Sequence, residues 1–134
     1  MPKAEHEKKA PFASANITGA TFTIGTEATN VINVGIQLHK VSGGNLDVRG
    51  ALMAYLSDDA NGDSITATGP STESAIGTDG VLGILLAKKI YFLVSESDGD
   101  IDIDLTETGA ATWYLVLVMP SGKLVVSSAI TFAA

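Results

Sequence analysis

The sequence predicts an all-β protein, an antiparallel β-sandwich of the immunoglobulin-like or jelly-roll type. Short runs rich in Val, Ile and Leu alternate with turns that contain many of the 14 glycines. Residues 101–105 alternate strictly between apolar and acidic side chains, as expected of a half-buried strand. The 134 residues are 46% hydrophobic, which is enough for one packed core. We therefore expect one sandwich domain over residues 16–134, preceded by an N-terminal arm.

The body of the chain divides into eight or nine short predicted strands. The clearest begins at Val31, where Ile32, Val34, Ile36 and Leu38 share one face and polar residues or glycine occupy the other. Residues 66–80 are polar and contain a proline, so they are predicted to form a long loop with at most one short edge strand. Seven of these strands are predicted over residues 31–41, 48–56, 81–87, 88–96, 101–105, 112–119 and 123–132.

Residues 1–15 are polar and charged and show no periodicity that indicates a helix or a strand. We expect this arm to be disordered in isolation and to become ordered by docking onto a neighbouring subunit. Its candidate contact residues are Lys8, Lys9 and Phe12.

Residues 113–119 form a strand candidate whose two faces are both apolar. The segment that precedes it resembles the corner between strands E and F of immunoglobulin-like domains, where a tyrosine bonds back to the corner backbone. This comparison makes Tyr114 the corner residue and turns Tyr114, Val116 and Val118 towards the core. The residues predicted to face outward are Trp113, Leu115, Leu117 and Met119.

An outward apolar row of this size needs a covering partner. A neighbouring subunit would make the row an interface, and Leu115→Asp would then give a folded protein that fails to assemble. The alternative is that a loop or the arm of the same chain covers the row.

Two acidic turns are candidate calcium sites because they contain the oxygen ligands that calcium prefers. Neither matches the EF-hand pattern, so the alternative is a pair of solvated turns whose acidic side chains bond to their own backbone. The candidates are Asp58, Asp59, Asn61 and Asp63 in the first turn, and Asp98 and Asp100 in the second.

The composition disfavours several classes of function. The net charge of −7, with only eight basic residues, disfavours a nucleic-acid partner. No apolar run approaches the roughly 20 residues of a membrane-spanning helix, and the absence of cysteine excludes thiol catalysis. The two histidines, His6 and His39, lie in the arm and on an outward strand face, so a catalytic triad is not expected. We expect a protein that is not an enzyme and holds no cofactor, calcium being the one candidate.

Three segments resemble a group of short virion structural proteins of tailed bacteriophages. They are Ala-Tyr-Leu-Ser-Asp-Asp-Ala-Asn-Gly-Asp at 54–63, the run at 93–114 that contains Ser-Asp-Gly-Asp-Ile-Asp-Ile-Asp, and Pro-Ser-Gly-Lys-Leu-Val-Val-Ser-Ser-Ala-Ile-Thr at 120–131. The resemblance covers about the last 85 residues. It implies a capsid decoration or cement protein, which binds the outer shell and holds capsomers together.

This resemblance leads to a specific expectation about partners and location. The chain would be made in the host cytoplasm and incorporated at the capsid surface of the virion, bound to the major capsid protein and in contact with further copies of itself. The alternatives are a structural component of the phage tail or fibre, and a module that binds carbohydrate or the host surface. Exposed aromatic residues near the loops would favour the last of these.

Overall fold

The computed structural model describes residues 17–133, which form two antiparallel β-sheets packed face to face. The predicted fold class is confirmed. The arm lies outside the described residues, as do Lys8, Lys9 and Phe12. The ten strands are β1 (Ile17–Ile24), β2 (Val31–Lys40), β3 (Ala51–Ser57), β4 (Thr72–Ile76), β5 (Val81–Leu86), β6 (Ile90–Val94), β7 (Asp100–Thr106), β8 (Ala111–Val118), β9 (Leu124–Val126) and β10 (Ile130–Phe132).

The first sheet has four strands in the order β1-β2-β7-β4. The second has six: β10, β8, β3, β6 and β5 in that order, with β9 also paired to β8. β8 pairs with β10 through residues 111–113 and with β9 through residues 116–118. β4 and β5 therefore lie at the same side of the sandwich, joined by residues 77–80.

The core lies between the sheets and is formed by alternate residues of the strands. β2 contributes the four side chains that its sequence pattern predicts, Ile32, Val34, Ile36 and Leu38. β7 contributes Ile101, Ile103 and Leu105, all fully buried, while the intervening aspartates stay partly exposed. The strict alternation of apolar and polar residues predicts the orientation of β2 and β7 correctly, because only one face of each strand is apolar.

The sequence does not predict β1, and the structure shows why. This strand contains glycine and three threonines among its 8 residues, and most of its side chains are partly or fully exposed at the edge of its sheet. It joins β2 through a tight turn in which Thr29 and Asn30 both adopt positive φ values, 54° and 69°. Two central residues with positive φ are the signature of the turn that suits the twist of a β-hairpin.

Candidate protein-binding surface

The outer face of the six-stranded sheet is apolar across four neighbouring strands. Strand register places residues of β5, β6, β3 and β8 opposite one another on this face. None of the outward residues of these four strands is charged, and the half-exposed side chains include Met53 at 45% and Phe92 at 41%. The outward residues are Val81, Gly83 and Leu86 on β5, Ile90, Phe92 and Val94 on β6, Ala51, Met53 and Tyr55 on β3, and Tyr114, Val116 and Val118 on β8.

A shallow groove of about 300 Å³ lies on this face, where β3 begins and β8 ends. Its walls include Met53 and Phe92, which are direct cross-strand neighbours, and Val118, which faces Met53 from the other side. Pro120 also lines the groove. Large exposed apolar patches on proteins mark contact sites for other macromolecules. We refer to this region, centred on Met53, Phe92 and Val118, as the apolar face.

One part of the sheet's outer side is covered by the chain itself. Gly62 packs directly on Val116: a Cβ at Gly62 would lie 2.9 Å from Val116 Cγ2, and its φ of +72° also favours glycine. The Tyr55 hydroxyl donates to the Gly62 carbonyl at 2.5 Å, which fixes the loop on the sheet. Burial, followed by the charges of Asp59 and Asp63, raises the pKa of Tyr55. The loop after β3, which contains Gly62, therefore covers Val116 and leaves the apolar face uncovered.

The outward row predicted on β8 is wrong, because these residues belong to the core. Trp113, Leu115, Leu117 and Met119 are all at most 4% exposed and pack between the sheets. The Trp113 ring meets Phe132 edge to face, with 5.9 Å between ring centroids. Its indole N–H donates to Thr66 Oγ1 at 3.1 Å and to the Thr68 carbonyl at 3.2 Å. The exposed apolar side chains of the apolar face lie on the opposite side of this sheet.

Tyr114 is likewise not a corner residue. Since its neighbours on β8 point into the core, Tyr114 points outward and is partly exposed. Its hydroxyl makes no hydrogen bond within residues 17–133. The two apolar faces of β8 have different partners: the inner one packs on the four-stranded sheet, and the outer one is partly covered by a loop of the same chain. A loop of the same chain does cover one face of β8, as the alternative prediction stated. The covered face, however, is that of Val116, which was predicted to point inward.

The acidic turns use their carboxylates to fix the backbone. Asp58 accepts hydrogen bonds from the Thr66 hydroxyl at 2.6 Å and the Ala67 N–H at 3.1 Å. Asp59 accepts from the N–H groups of Asn61 and Asp63 at 2.9 and 3.1 Å. Such bonds are the local role that the sequence offered as the alternative to calcium.

In the second turn, the Asp98 carboxylate accepts from the Asp100 N–H at 3.3 Å. The pKa of Asp100 is raised, first by burial, then by a hydrogen bond and repulsion from Asp79, and last by repulsion from Asp98 and Asp102. Within the described part of the chain, no three His, Asp or Glu side chains are placed to hold a metal ion together. Calcium binding by either turn stays a prediction.

The outer face of the four-stranded sheet is polar and acidic, in contrast to the apolar face. Asn33 Nδ2 donates at 2.8 Å to both Asp102 and Asp104. Asp102 also accepts from the N–H groups of Thr78 and Asp79, at 3.0 and 2.6 Å, and so holds the connection between β4 and β5. Burial acts to raise the pKa of Asp102, but hydrogen bonds from Asn33, Asp79 and Thr78 outweigh it and lower that pKa.

A buried polar contact joins the two sheets beside β5. The Tyr91 hydroxyl on β6 donates to Glu73 Oε2 at 2.9 Å and lies 3.0 Å from Ser74 Oγ, both on β4. Glu73 also accepts the Lys88 N–H at 2.8 Å, so one carboxylate anchors the turn between β5 and β6. Burial, with Glu73 adding to it, raises the pKa of Tyr91 well above the ordinary range of a phenol. Tyr91 is therefore a neutral structural group.

His39 is the one histidine among residues 17–133. Its Nε2 lies 3.1 Å from the Thr21 hydroxyl on the neighbouring strand, and it forms no ion pair with a carboxylate of the described chain. This placement matches an ordinary cross-strand contact. None of the described residues forms a helix able to cross a membrane.

The chain has a structural similarity to a known protein module. No protein-family model and no curated protein matches the sequence. Among solved structures, the chain is similar to the cohesin module of a family 33 glycoside hydrolase from Clostridium perfringens. The two share 9% sequence identity with a TM-score of 0.36, over 87% of this chain and 94% of that one.

The sequence already indicates the apolar face through strands other than β8. Residues 81–86 read Val-Leu-Gly-Ile-Leu-Leu, and residues 90–94 read Ile-Tyr-Phe-Leu-Val. Like β8, these strands carry apolar side chains on both faces, and so does β3. Adjacent strands with two apolar faces indicate a sheet whose outer side is also in contact with something. Their pairing order, which the sequence does not reveal, determines where that surface lies.

Proposed function

We propose that this protein is a structural component of a tailed-phage virion that decorates the capsid shell and catalyses no reaction. The observation that carries the proposal is the apolar face, an uncharged surface on a sheet whose inner side already forms the core. The resemblance of the segments 54–63, 93–114 and 120–131 to short virion proteins of tailed bacteriophages indicates the kind of particle. The major capsid protein is the proposed partner, and the capsid surface is the proposed location.

The distribution of charge supports docking through one side of the sandwich. Met53 and Phe92 are nearly half exposed, and burying a large apolar side chain completely is worth ~1.5–3 kcal/mol. On the opposite side, Asp102 and Asp104 present carboxylates to solvent. With the apolar face on the shell, the acidic sheet would point outward and keep the decorated particle soluble.

A sugar-binding module receives less support from the same surface. Carbohydrate sites use exposed aromatic rings, and the single tryptophan, Trp113, is only 4% exposed. Phe92 is the one aromatic residue among the strongly exposed apolar side chains of the described chain, and it lies at mid-strand rather than in a loop. A tail or fibre component would use the same apolar face, so location within the particle separates it from a decoration protein.

Immunogold labelling of intact virions tests the proposed location. Antibody raised against the purified full-length chain should label the head surface over its whole area, and purified protein added to heads that lack it should bind to a fixed, saturable number of sites. Antibody against the major capsid protein serves as the positive control. Label confined to the tail would overturn the decoration role in favour of the tail component.

A further inference from the structure

The described chain begins beside the groove on the apolar face. β1 starts at Ile17, whose buried side chain packs against Gly50, the residue before β3. A Cβ at Gly50 would lie 2.8 Å from Ile17 Cδ1. The next residue, Ala51, lines the groove together with Met53 and Phe92. Since β1 runs away from this end of the sandwich, the residues that precede Ile17 join the domain at the end where the groove lies.

The composition of the N-terminal arm changes next to the domain. Five side chains of residues 1–9 are charged, whereas residues 10–16 carry no charged side chain. Residues 10–15 read Ala-Pro-Phe-Ala-Ser-Ala, and Phe12 is the one phenylalanine before β1. The groove is likewise uncharged, and its lining residues are Ala51, Leu52, Met53, Phe92, Val118 and Pro120. The part of the arm nearest the groove is therefore the part whose chemistry matches it.

We propose that the groove is the binding site of the chain's own arm, with the Phe12 ring packed on Met53 and Phe92. The reach is sufficient, because four residues separate Phe12 from Ile17 and five extended residues span roughly 17 Å. A second aromatic ring and a methionine thioether are favourable neighbours for a phenylalanine ring. Pro11 favours docking because a proline restricts its own φ and the backbone of the residue before it, which reduces the entropy lost on binding.

The short connection favours the arm of the same chain over docking on a neighbouring subunit, which was the prediction from the sequence. A segment held by a short linker has an effective concentration in the mM range at its site, far above the concentration of other copies in dilute solution. A shell that binds the apolar face would displace the arm from the groove. Docking of the arm takes place in the free protein and does not depend on the proposed role in the virion.

Disulfide trapping tests the proposal directly, because the chain contains no cysteine. With Phe12 in the groove, Ala13→Cys combined with Val118→Cys should form an internal disulfide under mild oxidation, since Val118 lines the groove. The matched control is Ala13→Cys combined with Val41→Cys. Val41 is 85% exposed in the turn after β2, whose last residue pairs with Ile17, so it also lies near the start of β1 but away from the groove. The pair with Val118→Cys should link at least tenfold faster.

Methyl NMR of the full chain provides the second measurement. In dilute solution the Met53 methyl group should show a nuclear Overhauser effect to the Phe12 ring. Phe12→Ser should shift the methyl resonances of Met53 and Val118, whereas His6→Ser, which removes a ring farther from β1, should leave them unchanged. Equal linking rates for the two cysteine pairs, or a Met53 resonance that ignores Phe12→Ser, would overturn the proposal. Disulfide-linked dimers in place of the internal disulfide would overturn it in favour of the arm of a second copy.

Discussion

Leu115→Asp should unfold the domain. Leu115 is fully buried on the inner face of β8, so the variant places a carboxylate without a partner in the core. Truncating a buried leucine costs ~2–5 kcal/mol, and an unpaired buried charge adds several more. A domain of this size is stable by about 5–15 kcal/mol. Urea denaturation followed by circular dichroism should therefore show little or no folded protein at room temperature.

A matched control lies one position earlier on the same strand. Tyr114 points outward and is partly exposed, so Tyr114→Asp should cost about 1 kcal/mol or less, as is usual at surface positions. The comparison separates the two possible orientations of β8. If Leu115→Asp folded normally and merely failed to assemble, the row from Trp113 to Met119 would be an interface and the core assignment would be wrong.

Phe92→Asp should weaken binding to the shell while leaving the fold intact. Phe92 is 41% exposed at the centre of the apolar face, where a bound partner would remove it from water. The variant loses part of the ~1.5–3 kcal/mol available from burying the ring and introduces a charge that docking must desolvate. Since 1.4 kcal/mol corresponds to a factor of ten in affinity, we expect binding at least about tenfold weaker. Titration of purified protein onto undecorated heads measures it.

Two variants make this experiment specific. Val41→Asp adds the same charge at a side chain that is 85% exposed in the turn after β2, away from the apolar face, and should bind like wild type. Phe92→Leu keeps the position apolar and should retain most of the affinity. Equal binding by Phe92→Asp and Val41→Asp would show that the shell contact lies elsewhere on the molecule.

The sequence predicted the strands whose two faces differ in polarity. β2 and β7 alternate between apolar and polar side chains, so only one orientation buries the apolar set. On β8 both faces are apolar, and the orientation was inferred from Tyr114 by analogy with a tyrosine corner. The structure has the opposite orientation, in which the indole N–H of Trp113 donates to Thr66 Oγ1 and to the Thr68 carbonyl.

The candidate surface was less predictable because it depends on strand order. Met53 and Phe92 are 39 residues apart in the sequence and become direct neighbours only when β3 pairs with β6. Alternation within each strand identifies residues that share a face, but long-range pairing determines which faces combine. The acidic turns were simpler, since Asp58 and Asp59 bond to backbone groups within ten residues of themselves. The sequence pattern within a segment predicted the contacts inside that segment. The apolar face could be located only from the pairing of all the strands in the sheet.

We propose that this protein stabilises an assembled shell, and the burst temperature of phage heads tests this role most directly. Heads lacking the protein should keep their geometry but release DNA at a lower temperature, because each bound copy stabilises only the assembled state by mass action. Adding wild-type protein should raise the burst temperature in proportion to occupancy, whereas Phe92→Asp should leave it low. A burst temperature that is the same with and without bound wild-type protein would contradict the account.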